Sequence, residues 1–337
     1  MTIWVVRAGR YGEREDLALE EGLCFIGWGE MPDLSSFKSR DAIQRKLAEL
    51  YSDRKDGTHK NHAIQIWTFL SNIKKGDIIA LPLKNRPAIA FGEATGEYVF
   101  LPDNPEDARH AKKVKWLGEP ILRSRFDQDL RYSFGASQTV FSVHRNNAEK
   151  RIRKMVAQPD WKDTVAQQDT DEETAEPAPN LLDAASQQIS DYIGRKFKGR
   201  KLEVLVEAIL KAQGYETNLC PEGADGGVDI LAGRGAMGFE QPRLCVQVKS
   251  SDDPVGREVL DQLKGVMGDH HADHGLLVAW GGFKSTVVRE SRRSFFNIRL
   301  WNDQKLVEEI QQVYEKLPKE IQADLPLQQT WVLVEEE

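Results

Sequence analysis

Residues 157–180, AQPDWKDTVAQQDTDEETAEPAPN, constrain this chain more than any other stretch, because they cannot belong to a core. The stretch is acidic, rich in Gln, Thr, Ala and Pro, and poor in apolar side chains. Burial therefore cannot offset the entropy lost on ordering it. It reads as a flexible tether dividing 337 residues into two parts, each long enough for a core of its own. The expected organisation is a first domain over 1–156, the tether over 157–180, a second domain over 181–318 and an acidic tail over 319–337.

The net charge of −7 divides unevenly along that plan. Residues 1–156 carry 26 Lys and Arg against 21 Asp and Glu, whereas the tether carries 1 against 7 and residues 301–337 carry 3 against 9. The acid sits in tether and tail, which leaves a mildly basic first half. Phosphate contact needs a local basic face rather than a basic total, so the charge permits nucleic acid without demanding it. Cys24, Cys220 and Cys245 form no CxxC pair, which excludes a thiolate zinc knot and a disulfide framework and fits a reducing cytoplasm. No run reaches the ~18 apolar residues of a membrane span, and the opening residues lack the layout of a secretion signal, so the expected location is cytoplasmic and off the membrane.

The two halves differ in pattern. Upstream, short β-rich runs at 3–9, 23–31, 77–84, 88–100, 112–118 and 139–144 surround helical patterns at 39–51 and 61–73, which predicts an α+β domain built on a small curled sheet or barrel. Downstream, helices at 181–196 and 201–213 precede strands at 215–220, 228–233 and 243–249. Then come a helix (256–268), a strand (275–280), a helix (284–296), a strand (298–301) and a helix (305–317). The core order α-β-β-β-α-β predicts an α/β domain around a mixed sheet.

Chemistry gathers in the second half. Strand alternation turns Asp229 away from Val228 and Ile230, and sets Gln247 and Lys249 together opposite Val246 and Val248. Helix 201–213 has its apolar stripe at Leu202, Leu205, Val206, Ile209 and Leu210, with Glu203 at the stripe's edge and Glu207 further outward. Two carboxylates, an amide and an ammonium at strand ends suit phosphodiester hydrolysis. Asp229 and Glu203 are hard oxygen ligands for Mg²⁺, with Mn²⁺ as a substitute. Lys249 can hold or deprotonate a water and offset charge, and Gln247 can hold the water or ligate through its carbonyl oxygen. Each residue also has a plain structural role: Asp229 as a turn acid, Lys249 as an edge-strand guard, Glu203 as a first-turn acid favoured by the helix dipole.

These residues resemble the PD-(D/E)xK nucleases, and within them the Mrr-like branch of modification-dependent restriction enzymes. The resemblance rests on Leu202-Glu203, Gly214-Tyr215, Ala224-Asp225-Gly226-Gly227-Val228-Asp229 and Gln247-Val248-Lys249, in order, over residues 195–305. Leu202 stands where the branch has an aromatic, and Ala224 where it has a glycine. The resemblance implies an Mg²⁺-dependent endonuclease acting on double-stranded DNA, with a homodimer for double-strand cleavage.

Residues 1–150 resemble the EVE branch of PUA-like modified-base readers, on the Lys74-Lys75-Gly76-Asp77 turn, Gly92-Glu93, the opening Trp4 strand and Ser133-Phe134. An extruded base needs aromatic faces and a few polar contacts. Trp28, between Gly27 and Gly29, and Trp116, in a strand with Lys112 and Lys113, are the candidate pocket residues; the two lysines are candidate DNA-backbone contacts. Together these expectations describe a defence enzyme that reads a modified base with one domain and cuts with the other. The alternative is a non-catalytic modified-nucleic-acid binder with a degenerate nuclease fold, which the amide of Gln247 favours; an RNA-directed enzyme is a third reading.

Overall fold

The computed structural model describes residues 2–9, 12–136, 138–158, 161, 163, 181–221 and 227–332, which fall into two compact units divided at Ala185.

In the first unit, strand β1 (Ile3–Val6) leads to helix α1 (Glu15–Glu21), β2 (Leu23–Ile26), α2 (Arg40–Leu50) and α3 (Asp56–Trp67). Strands β3 (Ile78–Pro82), β4 (Ala88–Phe100), β5 (His110–Trp116) and β6 (Ile121–Leu122) follow, then α4 (Gln128–Phe134), β7 (Val140–Val143) and α5 (Ala148–Ala157). The strands form one sheet in the order β2-β5-β4-β3-β1-β7, with β6 on β4. Among the described residues the ladder does not close: β2 and β7 are its two ends, so the expected barrel gives way to an open sheet. Both faces of that sheet carry apolar residues that need cover. Ile3, Val5, Ile78, Ala80 and Phe91 pack with Phe126, Leu130 and Ile152, while Val6, Ile26, Ile79 and Val114 pack with Ile43, Leu47, Ile66 and Phe69. A core on each side removes the reason to roll up around one interior.

The Gly76-Asp77 turn earns its place by hydrogen bonding. Asp77 accepts from the amides of Thr2 (3.0 Å) and Lys74 (2.9 Å) and from the Trp4 indole (3.0 Å), tying the turn to the start of β1. The turn is therefore architectural.

The described residues of the 157–180 stretch pack on the first unit. Asp163 is buried and bound by Arg151, which also grips Asp129 at 2.6 and 2.8 Å; Lys154 lies 4.2 Å over the Trp161 ring. Burial opposes the Arg151 charge, but the hydrogen bonds it donates to Asp129 and Asp163 outweigh it and raise its pKa. These contacts belong to the first unit. Residues 159, 160, 162 and 164–180 of the stretch, like tail residues 333–337, lie outside the described residues.

After α6 (Leu181–Lys196), the second unit runs through α7 (Arg200–Ala212), β8 (Glu216–Leu219), β9 (Ile230–Arg234), β10 (Glu240–Lys249), α8 (Arg257–Asp269), β11 (His274–Ala279), α9 (Ser285–Arg293), β12 (Ile298–Trp301), α10 (Asp303–Val313) and α11 (Lys319–Asp324). The sheet order is β12-β11-β10-β9-β8, with β10, β11 and β12 parallel and β8-β9-β10 antiparallel. This is the mixed α/β layer arrangement that the periodicity implied. Helix α7 ends as its sequence predicts, with Gly214 at φ +89° just past the last turn. Its stripe Leu202, Leu205, Val206 and Ile209 covers Ile230, Val246 and Val248; Cys245, Leu277 and Ala279 face the other way, under Leu260 and Leu263 of α8 and Val287 of α9.

Candidate active site

The alternation expected over Val228–Ile230 fails, and its failure builds the site. Val228 packs with Cys245 on the α8 side while Ile230 packs with Val246 on the α7 side, although two residues in one strand should share a face. The Asp229 amide donates to the Val246 carbonyl (2.9 Å), the residue that the ladder pairs with Ile230. Pairing is therefore irregular here, and β9 starts only at Ile230. Such irregularities re-aim a side chain. Here the Asp229 carboxylate occupies the place of the missing ladder partner: its Oδ2 accepts from the Val248 amide at 2.6 Å.

That bond joins Asp229 to the Gln247-Val248-Lys249 segment. Along β10, Cys245, Gln247 and Lys249 alternate against Val246 and Val248, so the amide and the ammonium share the α8 side. Gln247 is 1% exposed, and its buried Oε1 has no hydrogen-bond partner among the described residues. An orphaned buried oxygen calls for an explanation such as an ion or water. Gly227 makes room for the amide: it sits at φ +97°, and a Cβ there would lie 3.0 Å from Gln247 Nε2. Lys249 is half-buried, and its ammonium has no partner among the described residues. The Lys249 carbonyl accepts from the Trp280 amide (2.8 Å), which anchors the strand end to β11. Below, burial pushes the Cys245 thiol up to about 11, so it stays neutral and inert.

Glu203 makes its hydrogen bond to Arg200, at 2.6 Å. It stands in the first turn of α7, on the helix layer opposite Gln247. Glu207 does not point outward: it accepts from the Thr217 hydroxyl (2.9 Å) and pairs with Lys211 (2.9 Å). Ala224, Asp225 and Gly226 lie outside the described residues. Among the described residues no three His, Cys, Asp or Glu side chains converge on a common point. The Asp229 carboxylate, tied to the Val248 amide, and the Gln247 carbonyl oxygen, which has no partner among the described residues, are hard donors of the kind taken by a divalent cation that keeps most of its waters.

The first unit corrects the basic-strand expectation. Lys112 is fully buried and donates to the carbonyls of Ile73 (2.9 Å) and Leu70 (3.3 Å), and burial pulls its pKa down. It caps the end of the helical segment Thr68–Asn72 and cannot reach DNA. Strand alternation had to bury one of two adjacent lysines; Lys113 is the exposed one. Trp116 is committed too: its indole donates to the Ala18 carbonyl (2.8 Å) and its ring covers Gly92. Trp28 differs. It is half-buried, holds a left-handed backbone at φ +61°, and meets the His62 ring edge-on at 5.2 Å. A non-glycine residue held there carries strain that the surroundings must sustain. Gly29 is small because the Glu106 backbone passes against it, not to leave space for a ligand. His62 Nδ1 is buried without a partner among the described residues, and burial, with Arg54 and His59 nearby, lowers its pKa to about 4. Sequence reasoning missed His62, whose only signal was a histidine in a helical run.

Residues 194–310 match the restriction endonuclease family model. That match lies in the second unit, and Asp229, Gln247 and Lys249 all fall inside it. Residues 4–142 match a family described only as a domain of unknown function. An uncharacterized mitochondrial protein of Schizosaccharomyces pombe is 27% identical over 95 residues, covering 27% of this chain and 38% of that protein's length. Among solved structures, the DNA modification-dependent restriction endonuclease AspBHI shares 14% identity at a TM-score of 0.34, over 81% of this chain and 74% of its own. The MspJI restriction endonuclease, in complex with a 27-mer oligonucleotide, shares 13% at a TM-score of 0.33, over 96% and 79%.

Proposed function

We propose that the chain is a modification-dependent, type IV-like restriction endonuclease of the cytoplasm, which cuts foreign double-stranded DNA. The observation that carries this reading is the Asp229 carboxylate locked onto the Gln247-Val248-Lys249 strand end, inside a domain that matches restriction endonucleases. Asp229 and the Gln247 carbonyl oxygen would hold Mg²⁺. When bound, the ion polarises a phosphoryl oxygen and acidifies a coordinated water. Lys249, an ammonium without an ion-pair partner among the described residues, orients the attacking water and offsets charge developing on the phosphate. Recognition falls to the first unit, where the Trp28 ring supplies a stacking face and neutral His62 a polar contact for an extruded base.

A second reading, a non-catalytic binder, draws on two features: an amide at Gln247 in place of an acid, and Glu203 held by Arg200. Digestion of matched unmodified, methylated, hydroxymethylated and glucosylated DNA, with Mg²⁺ or with chelator, separates the two. The nuclease reading expects metal-dependent cleavage of at least one modified DNA and sparing of the unmodified one. Binding without cleavage in Mg²⁺ and in Mn²⁺ selects the binder.

A further inference from the structure

The junction of α6 and α7 carries Arg195, Lys196, Lys198, Arg200 and Lys201 within seven residues. Its position is set by two contacts inside the second unit. Gly194 packs against the Trp280 ring so closely that a Cβ would lie 2.7 Å from it, and the Trp280 amide holds the Lys249 carbonyl. On the other side, Lys198 pairs at 3.5 Å with Asp252, three residues past Lys249. The junction is thereby pinned to the rim of the strand end that bears the candidate catalytic groups.

Its cations are held loosely or not at all. The Lys198–Asp252 pair is 59% and 46% exposed, the kind of pair that contributes little and exchanges readily. Lys201 is exposed and has no partner among the described residues. The Arg195 guanidinium, also exposed, bonds only a backbone carbonyl of its own helix, while Lys196 is tied to Asp324 and Arg200 to Glu203. Gly199, at φ +58°, has open space where its side chain would be, so the backbone itself can be approached from solvent. Excess positive charge on an open, glycine-centred turn beside a phosphodiester-cleaving site fits a polyanion backbone.

We infer that the 195–201 junction is a phosphate clamp, in which Lys198 and Lys201 grip the DNA backbone flanking the scissile phosphate and Lys198 leaves Asp252 as DNA arrives. The clamp rests on the nuclease reading and adds to it a sequence-independent grip local to the catalytic unit. Each phosphate contact contributes about 0.9 to the slope of log affinity against log salt, which is roughly eightfold in affinity at ~0.1 M salt.

The test is a Lys198→Gln/Lys201→Gln double variant of the full chain. Its binding to a fluorescent duplex is titrated in chelator from about 0.05 to about 0.2 M salt. In parallel, kcat and KM are measured on whichever DNA the wild type cuts. The clamp predicts a salt slope shallower by about 2 and affinity lower by up to roughly sixtyfold at ~0.1 M. The loss should appear in KM, with kcat at saturating DNA changed by less than about twofold. Asp252→Asn, which removes the competing acid, should tighten binding. An unchanged slope and affinity in the double variant of a wild type that cuts DNA overturns the clamp alone. A wild type that neither binds nor cuts duplex DNA overturns the nuclease reading, and the clamp falls with it.

Discussion

Replacing Asp229 by Asn separates a catalytic acid from a structural clip, because the proposed function gives this side chain the first task and its bond to the Val248 amide the second. Oδ2 accepts from the Val248 amide at 2.6 Å, a bond strengthened by the carboxylate's charge. Asparagine keeps an acceptor oxygen in the same place, so the clip weakens from a charged to a neutral hydrogen bond, costing about 1 kcal/mol. In a domain of this size that lowers the melting temperature by roughly 2–4 °C. The catalytic loss is far larger. An acid that holds the metal supports several kcal/mol of transition-state stabilisation, and about 4 kcal/mol corresponds to roughly a thousandfold in turnover. The assay pairs initial rates of supercoiled DNA conversion in Mg²⁺ with thermal melting of the same preparation. A nearly unshifted melting curve with turnover down about a thousandfold is the expected result. Turnover within about tenfold of wild type in a folded Asp229→Asn protein would refute the assignment. Asp229→Ala is the poorer probe, since it leaves the Val248 amide without its acceptor, at about 1–3 kcal/mol, and so mixes the two losses.

Other perturbations follow from the same geometry. Lys112→Met should lower the stability of the first unit while leaving the salt dependence of DNA binding unchanged; a shallower slope would restore Lys112 to the DNA surface. Arg151→Ala strands the buried Asp163 and the partly buried Asp129, and should cost the first unit about 3–5 kcal/mol in urea unfolding. A loss under about 1 kcal/mol would show that the pairs are not formed in solution. His62 has a folded pKa of about 4, below its ordinary 6.5, so the unfolded chain takes up the proton first. Its contribution is fully present above about 6.5 and lost as pH falls toward about 4, and His62→Gln should flatten that part of the melting-temperature profile; an identical profile in the variant would refute it.

Much of the second unit was legible from the residues because its signals are local. The 3.6-residue stripe of helix α7, Gly214 past its end and the alternation along Val246–Lys249 each depend on neighbours a few positions away, and each appears where the pattern places it. What those signals do not contain is pairing. Whether Val228, Asp229 and Ile230 alternate depends on how β9 meets β10, and the irregular start of that ladder, not the strand's own pattern, aims the Asp229 carboxylate at the Val248 amide. Glu203 and Glu207 show the same limit: helix spacing placed the first at the edge of the stripe and the second further outward, but only the packed structure shows one held by Arg200 and the other by Thr217 and Lys211. Adjacent Lys112 and Lys113 are chemically alike in sequence, and the register of β5 against β2 and β4 decides which is buried beneath a helix end and which meets solvent. Composition and periodicity thus determined the element order, the residue types at the candidate site and the α7 core face, because those follow from covalent neighbours. Tertiary structure alone decided an open sheet over a barrel, the orphaned Gln247 oxygen and the placing of the 195–201 cations, because each depends on what the far parts of the chain bring against it.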